Sequence, residues 1–332
     1  MSLSVIVPNY NDAGRLPRAL RALLRQKPQP DEIIIVDDAS TDDSAAIAES
    51  FQRRHKIIKL IRHPRNRGAP AALNTGLAAA TGEFVYFGAS DDFVLGGFFG
   101  EALAALRAHP EAAYYCANVV LVSVDGTIVD FRPILLPSRT AAFIPPREAQ
   151  QLLRNIDNWA VGQSVVLRRR QLVDVGGFDE ALGSFCDGII YRLLAIRDGF
   201  CFSDRLATAW EVRSDALSAR SALSQSESSR LIEAARRRIA EIFPPPFNTE
   251  YPDLFVRRLA FNVARLALKA PGDDISLIVA LPTLTDLDRR VVSMLGKDTR
   301  LSRVAVLAWL TLRLRPFGWR ALLEAWVTRR AT

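Results

Sequence analysis

The sequence predicts an α/β protein: a mixed β-sheet flanked by helices over roughly residues 1–215, then a mostly helical region over 216–332. Three observations predict it. Short apolar runs with β-branched residues alternate with helical patterns through the first 90 residues. The polar and acidic residues of that stretch collect where the apolar runs end. From about residue 217 the pattern is helical almost throughout.

Residues 3–8 form the first apolar run, and a helical pattern follows over 16–25. Residues 32–36 form a second run, ending in Asp37-Asp38. Ser40 or Thr41 is placed to cap a helix reaching to about residue 54, with Asp42 and Asp43 near its positive end. Residues 57–61 read as a third strand, 69–80 as an alanine-rich helix closed by Gly82, and 83–87 as a fourth strand. Continuous apolar strands separated by helices imply parallel pairing with both faces covered. Such sheets bind ligands beyond the carboxyl ends of their strands. That rule singles out residues 8–11, 37–40, 63–68 and 88–93.

Beyond residue 110 the pattern changes. Residues 112–118 and 119–124 read as strands, and Asp125-Gly126 as a hairpin turn into a strand over 127–131. A helix over 146–155, a strand over 164–167 and a helix over 187–197 complete an antiparallel extension of the sheet. Later helices are expected over 221–242, stopped by Pro244-Pro245-Pro246, and over 253–269, 284–295, 303–314 and 319–328.

Of the 332 residues, 49% are hydrophobic, enough for a substantial core. The net charge of +7 suggests an anionic partner, whether nucleotide phosphates, an acidic membrane surface or nucleic acid. Cys116, Cys186 and Cys201 have no close spacing, so neither a zinc pattern nor a disulfide framework is expected, and a reducing compartment is. No secretory signal pattern is seen. The run 304–312 is about half of the ~20 residues needed to cross a bilayer. It reads as a packed amphipathic helix or as a surface-lying one anchored by Trp309, Arg313, Arg315, Trp319 and Trp326. A Gly-x-Gly-x-x-Gly turn, a P-loop and a Gly-x-Ser-x-Gly elbow are all absent, which argues against the dinucleotide, P-loop and α/β-hydrolase classes. No histidine follows residue 110 to act as ligand or base.

Four segments carry candidate chemistry. Val36-Asp37-Asp38 sets two carboxylates at a buried strand end, where one can accept from a base N–H or a ribose hydroxyl, or cap a helix. Tyr86-Phe87-Gly88-Ala89-Ser90-Asp91-Asp92 runs a second strand into paired acids. Adjacent carboxylates repel unless a cation or proton sits with them, and oxygen-only ligands suit Mg²⁺ or Mn²⁺. Arg62-His63-Pro64-Arg65-Asn66-Arg67-Gly68 puts basic groups beside a glycine and a helix start, which favours phosphate. Asp187 stands at the start of a helix, either as its N-cap or as a general base aimed into a cleft.

Together these segments resemble family 2 glycosyltransferases with the GT-A fold, a Rossmann-like mixed sheet. The matching text is Ser4-Val5-Ile6-Val7-Pro8-Asn9-Tyr10-Asn11, Ile35-Val36-Asp37-Asp38-Ala39-Ser40-Thr41-Asp42, and Asn66-Arg67-Gly68 with Ala72-Leu73-Asn74-Thr75-Gly76. It continues through Thr81-Gly82-Glu83-Phe84-Val85-Tyr86-Phe87 into Ser90-Asp91-Asp92, and ends in Val175-Gly176-Gly177-Phe178-Asp179. The order and spacing fit over roughly residues 2–210.

The resemblance implies roles by position. Pro8 and Tyr10 would line the nucleotide base pocket, Asp38 would accept from the base, and Arg67 would lie near the base or diphosphate, with Asn74 among the donor-binding residues. Asp91 would face the ribose or donor sugar, and Asp92 would bind Mn²⁺ or Mg²⁺. Asp187 matches the general base of an inverting transfer (EC 2.4 class). Trp159, Gly162 and Gln163 sit where an acceptor pocket should form, with Trp159 stacking on a sugar or lying in the core. Three positions depart from the family pattern: Ala89 replaces the first acid of a longer acidic motif, Cys186 a glutamate, and Gly188 a bulky residue.

The expected organisation is a donor half over roughly 1–120 and an acceptor half over roughly 121–215, with helices beyond that shape the acceptor site or dock on the cytoplasmic face of a membrane. The expected partners are a nucleoside-diphosphate sugar, UDP foremost, a glycan or lipid-linked acceptor, and an anionic membrane surface, but no nucleic acid. The alternatives are a non-catalytic nucleotide-sugar-binding or scaffold protein on the same fold and, below it, a nucleotidyltransferase. The latter needs a glycine- and basic-rich loop after the first strand, where residues 8–14 hold one glycine.

Overall fold

The computed structural model describes residues 2–90, 93–133, 136–157, 159–160, 162–212, 224–268, 275–296 and 299–318. Asp91, Asp92 and the helix expected over 319–328 lie outside them. The chain groups into two compact units, one of residues 1–153 with 157–212, the other of 154–156 with 213–332.

In the first unit, β1 (Leu3–Asn9) pairs in parallel with β2 (Glu32–Asp37) and β4 (Phe84–Phe87), and β2 pairs in parallel with β3 (Ile58–Arg62). Every residue of β2 is buried, as a strand covered on both faces requires. Helices α1 (Leu16–Leu24), α2 (Ser44–Arg54) and α3 (Ala69–Ala79) connect these strands. The chain continues through β5 (Phe93–Val94), α4 (Phe98–Ala108), β6 (Tyr114–Val122), β7 (Ile128–Arg132), β8 (Ala142–Ile144) and α5 (Pro146–Asn155). A 3₁₀ turn (Gly162–Ser164), β9 (Val165–Arg168), α6 (Arg169–Asp174), a second 3₁₀ segment (Glu180–Phe185), α7 (Cys186–Asp198) and β10 (Phe200–Glu211) follow.

The sheet order is β3-β2-β1-β4-β9-β6-β10-β5, with β7 on β6 and β8 on β10. The extension is antiparallel at β4·β9, β9·β6, β6·β7, β10·β8 and β10·β5, whereas β6 and β10 run parallel. The sheet is therefore mixed. Its core packs Leu3, Val5, Ile33 and Phe84 against Leu20 and Phe99.

Several boundaries differ from the sequence reading. Ser40 and Thr41 do not cap α2, which begins at Ser44. The Ser40 hydroxyl instead accepts from Asn9 Nδ2 and the Asn11 N–H, while the Thr41 N–H donates to Asn11 Oδ1 at 2.7 Å. Gly82 does not close α3, which is capped by Ala80. A Cβ on Gly82 would lie 2.6 Å from Ser4 Oγ, so packing on β1 keeps this position bare. The two strands expected over 112–124 are one, because Asn118 stays in register and donates to the Asp204 carbonyl across a bulge in β10. That same Ser203-Asp204-Arg205 bulge breaks the apolar run of β10, which the sequence reading omitted.

The second unit holds α8 (Gln225–Ile242), α9 (Phe247–Ala267), α10 (Ile275–Val279), α11 (Asp286–Leu295) and α12 (Arg300–Leu314). Ala260, Val263, Ile278, Val292, Val306 and Leu310 are buried in its core. Capping boxes start α11 (Thr285 with Asp288) and α12 (Thr299 with Ser302). α9 begins six residues before the expected 253 and carries Pro252 in its second turn. Asp288 accepts from Trp309 Nε1 at 3.1 Å and from Arg313 Nε at 2.7 Å, so both side chains are tied to α11. Among the described residues no helix is long and apolar enough to cross a membrane.

Candidate active site

The parallel strands β1, β2 and β4 end at one edge of the sheet, and their carboxyl ends build the candidate site. At the end of β1, Pro8 is half-buried and Tyr10 is 49% exposed, leaving an aromatic face in solvent. Asn9 Nδ2 donates to Asp37 Oδ1 at 3.0 Å, and the Asp37 Oδ2 accepts from the Ser40 N–H, which closes the turn after β2.

Asp38 is 3% exposed and accepts from three donors: His63 Nδ1 faces its Oδ1 at 2.7 Å, the Arg67 N–H reaches the same oxygen at 2.9 Å, and the Gly68 N–H reaches Oδ2 at 2.8 Å. His63 Nε2 lies 2.9 Å from Thr75 Oγ1 on α3. The Asp38 carboxylate shapes the 63–68 loop. Gly68 sits at φ +87°, a left-handed conformation that suits glycine, and so aims both amides at that carboxylate. The loop carries the Arg67 guanidinium into solvent, 3.4 Å from Glu180 Oε1.

Asn74 Nδ2 donates to the Phe178 carbonyl at 2.7 Å and its Oδ1 accepts from the Phe178 N–H at 2.9 Å. Both ends of the amide staple α3 to the Gly176-Gly177 turn.

Asp91 and Asp92 lie outside the described residues, but the residue before them is placed. Ser90 Oγ donates to Asp12 Oδ2 at 2.9 Å, and Asp12 Oδ1 accepts from Arg15 Nη1 at 3.1 Å. Arg15 Nε donates in turn to Glu211 Oε1 at the end of β10. The sequence reading missed Asp12. Its position just past a strand end, like that of Asp38, was the available signal. Among the described residues no three His, Cys, Asp or Glu side chains cluster to hold a metal. Asp91 and Asp92, adjacent in the sequence after β4 and oxygen donors only, fit a hard divalent cation by the chemistry of the set.

Asp187 is the second residue of α7, and Phe185 holds the N-cap position, so Asp187 is not the N-cap. Its Oδ1 accepts from the Gly188 N–H at 2.6 Å. Its Oδ2 faces Gly162, where an added Cβ would lie 2.4 Å away. Burial pushes its pKa above the ordinary aspartate range, opposed by the Gly188 N–H and by the charge of Arg192. Gln163 offers its carbonyl to the Tyr86 hydroxyl at 2.9 Å. Trp159 is a core residue: 2% exposed, stacked on Phe200, and donating Nε1 to the Tyr114 hydroxyl at 2.9 Å. No face of its ring is open to a sugar. Of the three expected acceptor residues, Gly162 lies directly against Asp187.

The sequence model described as "Glycosyl transferase family 2" matches residues 4–176. A "Pre-mycofactocin glycosyltransferase" of Mycobacterium tuberculosis is 30% identical over 194 residues, covering 58% of this chain and 39% of that relative. Two solved structures share the fold. The structure of S. aureus TarS 1-349 in complex with UDP-GlcNAc aligns with a TM-score of 0.63 at 20% identity, over 95% of this chain and 91% of that one. The mannosyltransferase PcManGT from Pyrobaculum calidifontis, in complex with GDP-Man and Mn²⁺, aligns with a TM-score of 0.54 at 21% identity, over 96% and 87%.

Proposed function

The chain belongs to glycosyl transferase family 2, and from that premise we propose that it moves a sugar from a nucleoside diphosphate, UDP foremost, to a hydroxyl of a glycan or lipid-linked acceptor with inversion. The observation that carries the reading is the convergence of the β1, β2 and β4 ends, which sets Tyr10, the Arg67 loop and the segment leading into Asp91-Asp92 at one edge. The donors held by the two structural neighbours, UDP-GlcNAc and GDP-Man, support a nucleotide-sugar ligand here.

In this reading Tyr10 stacks on the nucleotide base beside Pro8, and Arg67 meets the diphosphate on a loop fixed by Asp38. Asp91 faces the ribose or donor sugar. Asp92 would hold Mn²⁺ or Mg²⁺, which when bound neutralises charge gathering on the diphosphate. Asp187 takes the proton of the acceptor hydroxyl as that oxygen attacks the anomeric carbon. The bond from that carbon to the diphosphate breaks with its electron pair leaving on phosphate oxygen, which inverts the centre. Gly162, bare of a side chain, lets the Asp187 carboxylate pack directly against its backbone. An environment that raises the pKa of Asp187 suits a base more than a scaffold, so catalysis is preferred over the binding-protein alternative.

A thermal-shift series with UDP-, GDP- and dTDP-sugars, each with and without Mn²⁺, tests the donor. One class should stabilise the protein, by about 2.7 kcal/mol at a hundredfold excess over Kd. Tyr10→Ala should weaken that donor about tenfold or more, the loss of one stacked base. A shift untouched by Tyr10→Ala would remove that residue from the pocket.

We also propose that the second unit docks on an anionic lipid surface. On α12, Leu301 (83% exposed), Val304, Ala308 and Leu312 share one solvent-facing stripe, and the helix holds Arg303 and Arg313 but no acid. Vesicles rich in phosphatidylglycerol should bind the protein at low salt and release it at moderate salt, and Leu301→Gln with Leu312→Gln should abolish binding. Salt-independent binding would refute the electrostatic part. A concentration-dependent dimer lost in the same variant would give the stripe to a second copy.

A further inference from the structure

Two departures from the family pattern, Cys186 and Gly188, flank Asp187, and the structure gives Gly188 a use. Arg192, one turn further along α7, folds back over it. Its Nη1 donates to the Gly188 carbonyl at 2.7 Å. A Cβ on Gly188 would lie 2.8 Å from that same nitrogen, so a side chain there would displace the guanidinium. The other edge of the guanidinium is clamped by Asp157, whose Oδ1 accepts from Nε and whose carbonyl accepts from Nη2 at 3.1 Å. The Asp157 carboxylate is buried, and its residue adopts φ +47°, so the clamp is built by an uncommon backbone conformation.

We propose that Arg192 is a positioning residue for the transfer: Asp157 locks it on the bare backbone of Gly188, where its fixed positive charge holds Asp187 in the basic form. This inference rests on the reading of Asp187 as the base. The reason is electrostatic. Burial drives a carboxylate toward its neutral form, and a neutral Asp187 cannot take a proton. A clamped guanidinium is always charged and offsets that penalty without neutralising the base by a direct proton transfer. Its influence on Asp187 is attractive, and it opposes burial.

The other titratable groups around Asp187 do not supply this charge. Cys186 and Tyr191 on α7 and Tyr114 on β6 are all pushed up by burial and stay neutral at ordinary pH. Asp179, ahead of α7, and the Tyr86 phenol on β4 lie toward Cys186 and Tyr191 respectively and add no cation. Among the described residues, the positive charge that opposes the burial of Asp187 is that of Arg192.

The test is the titration of the Asp187 carboxyl carbon in protein labelled at aspartate with ¹³C, its resonance assigned by loss in Asp187→Asn. Arg192→Gln should move the midpoint upward by about one pH unit, equivalent to a tenfold change. Arg192→Lys, which keeps the charge but not the fork, should move it less. Gly188→Ala, which displaces the guanidinium without removing it, should also move it upward, and keeps the test alive if Arg192→Gln fails to fold. Turnover should follow, with the acidic limb of the pH–rate profile shifted upward and rates converging above it. A midpoint unmoved in folded Arg192→Gln and Gly188→Ala would overturn the proposal, as would a rate loss equal at every pH. Asp187→Asn with undiminished transfer would instead overturn the base assignment itself, which separates the two failures.

Discussion

Asp187→Asn is expected to lower sugar transfer by about 10²–10⁴-fold, the usual contribution of a positioned general base, while leaving donor-induced stabilisation unchanged. The side chain is isosteric, and Asn Oδ1 can still accept from the Gly188 N–H, so the start of α7 should stand. What is lost is the acceptor for the hydroxyl proton at the atom facing Gly162. Steady-state rates, read beside the donor thermal shift, separate the two effects. Loss of both together would mean that the substitution disturbs the fold. Loss of neither would remove Asp187 from the chemistry. Gly162→Ala approaches the same carboxylate from the other side. Its Cβ cannot share space with Oδ2, so it should reduce turnover without altering a titratable group.

Glu32→Gln is expected to destabilise the first unit by about 2–3 kcal/mol at neutral pH. Glu32 begins β2 and is 5% exposed. Its Oε1 accepts from the Ser4 hydroxyl, the Thr81 N–H and the Thr81 hydroxyl, each at 2.7 Å, and its Oε2 accepts from Lys59 Nζ at 2.7 Å. This one carboxylate ties together β1, β2, β3 and the turn into β4. Burial pushes its pKa up, but the bonds from Lys59, Ser4 and Thr81 win and hold it at about 2 instead of 4.5. A depressed carboxylate contributes stability that is present above the unfolded value and lost as pH falls toward the folded one. The wild-type advantage should therefore be full above pH 4.5 and vanish on the way to pH 2. Urea midpoints of the two proteins at pH 7 and pH 3 measure it. Equal midpoints at pH 7 would show that the network adds nothing net.

Much of the first unit was legible because its strands obey a simple rule. Strands buried on both faces read as unbroken apolar runs, and β1, β2 and β4 do. What escaped was governed by contacts across the chain. Asn118 looked like a strand break and is a bridge to the β10 bulge. Ser40 looked like a cap and is claimed by Asn9 and Asn11 from another strand end. The site was legible as a set of positions but not as a set of partners. Asp38 and Asn74 were found as polar residues near a crevice, yet the turns they hold are 29 and 104 residues away in the chain. Trp159 was an open choice between sugar platform and core, and burial against Phe200 decides for the core. Arg192 gave no signal, because its meaning depends on Asp157 across a loop and on the missing side chain of Gly188.

The central claim is that a sugar leaves its nucleoside diphosphate by direct displacement at the strand-end site of the first unit. It is tested most directly by ¹H NMR of the anomeric proton during turnover of the nucleotide sugar that best stabilises the protein, with water or an added glycan as acceptor. The account predicts that an α-linked donor is consumed and that the first-formed product is the β anomer, with neither change in Asp187→Asn. A first-formed α anomer, or a donor consumed equally well without Asp187, would contradict it.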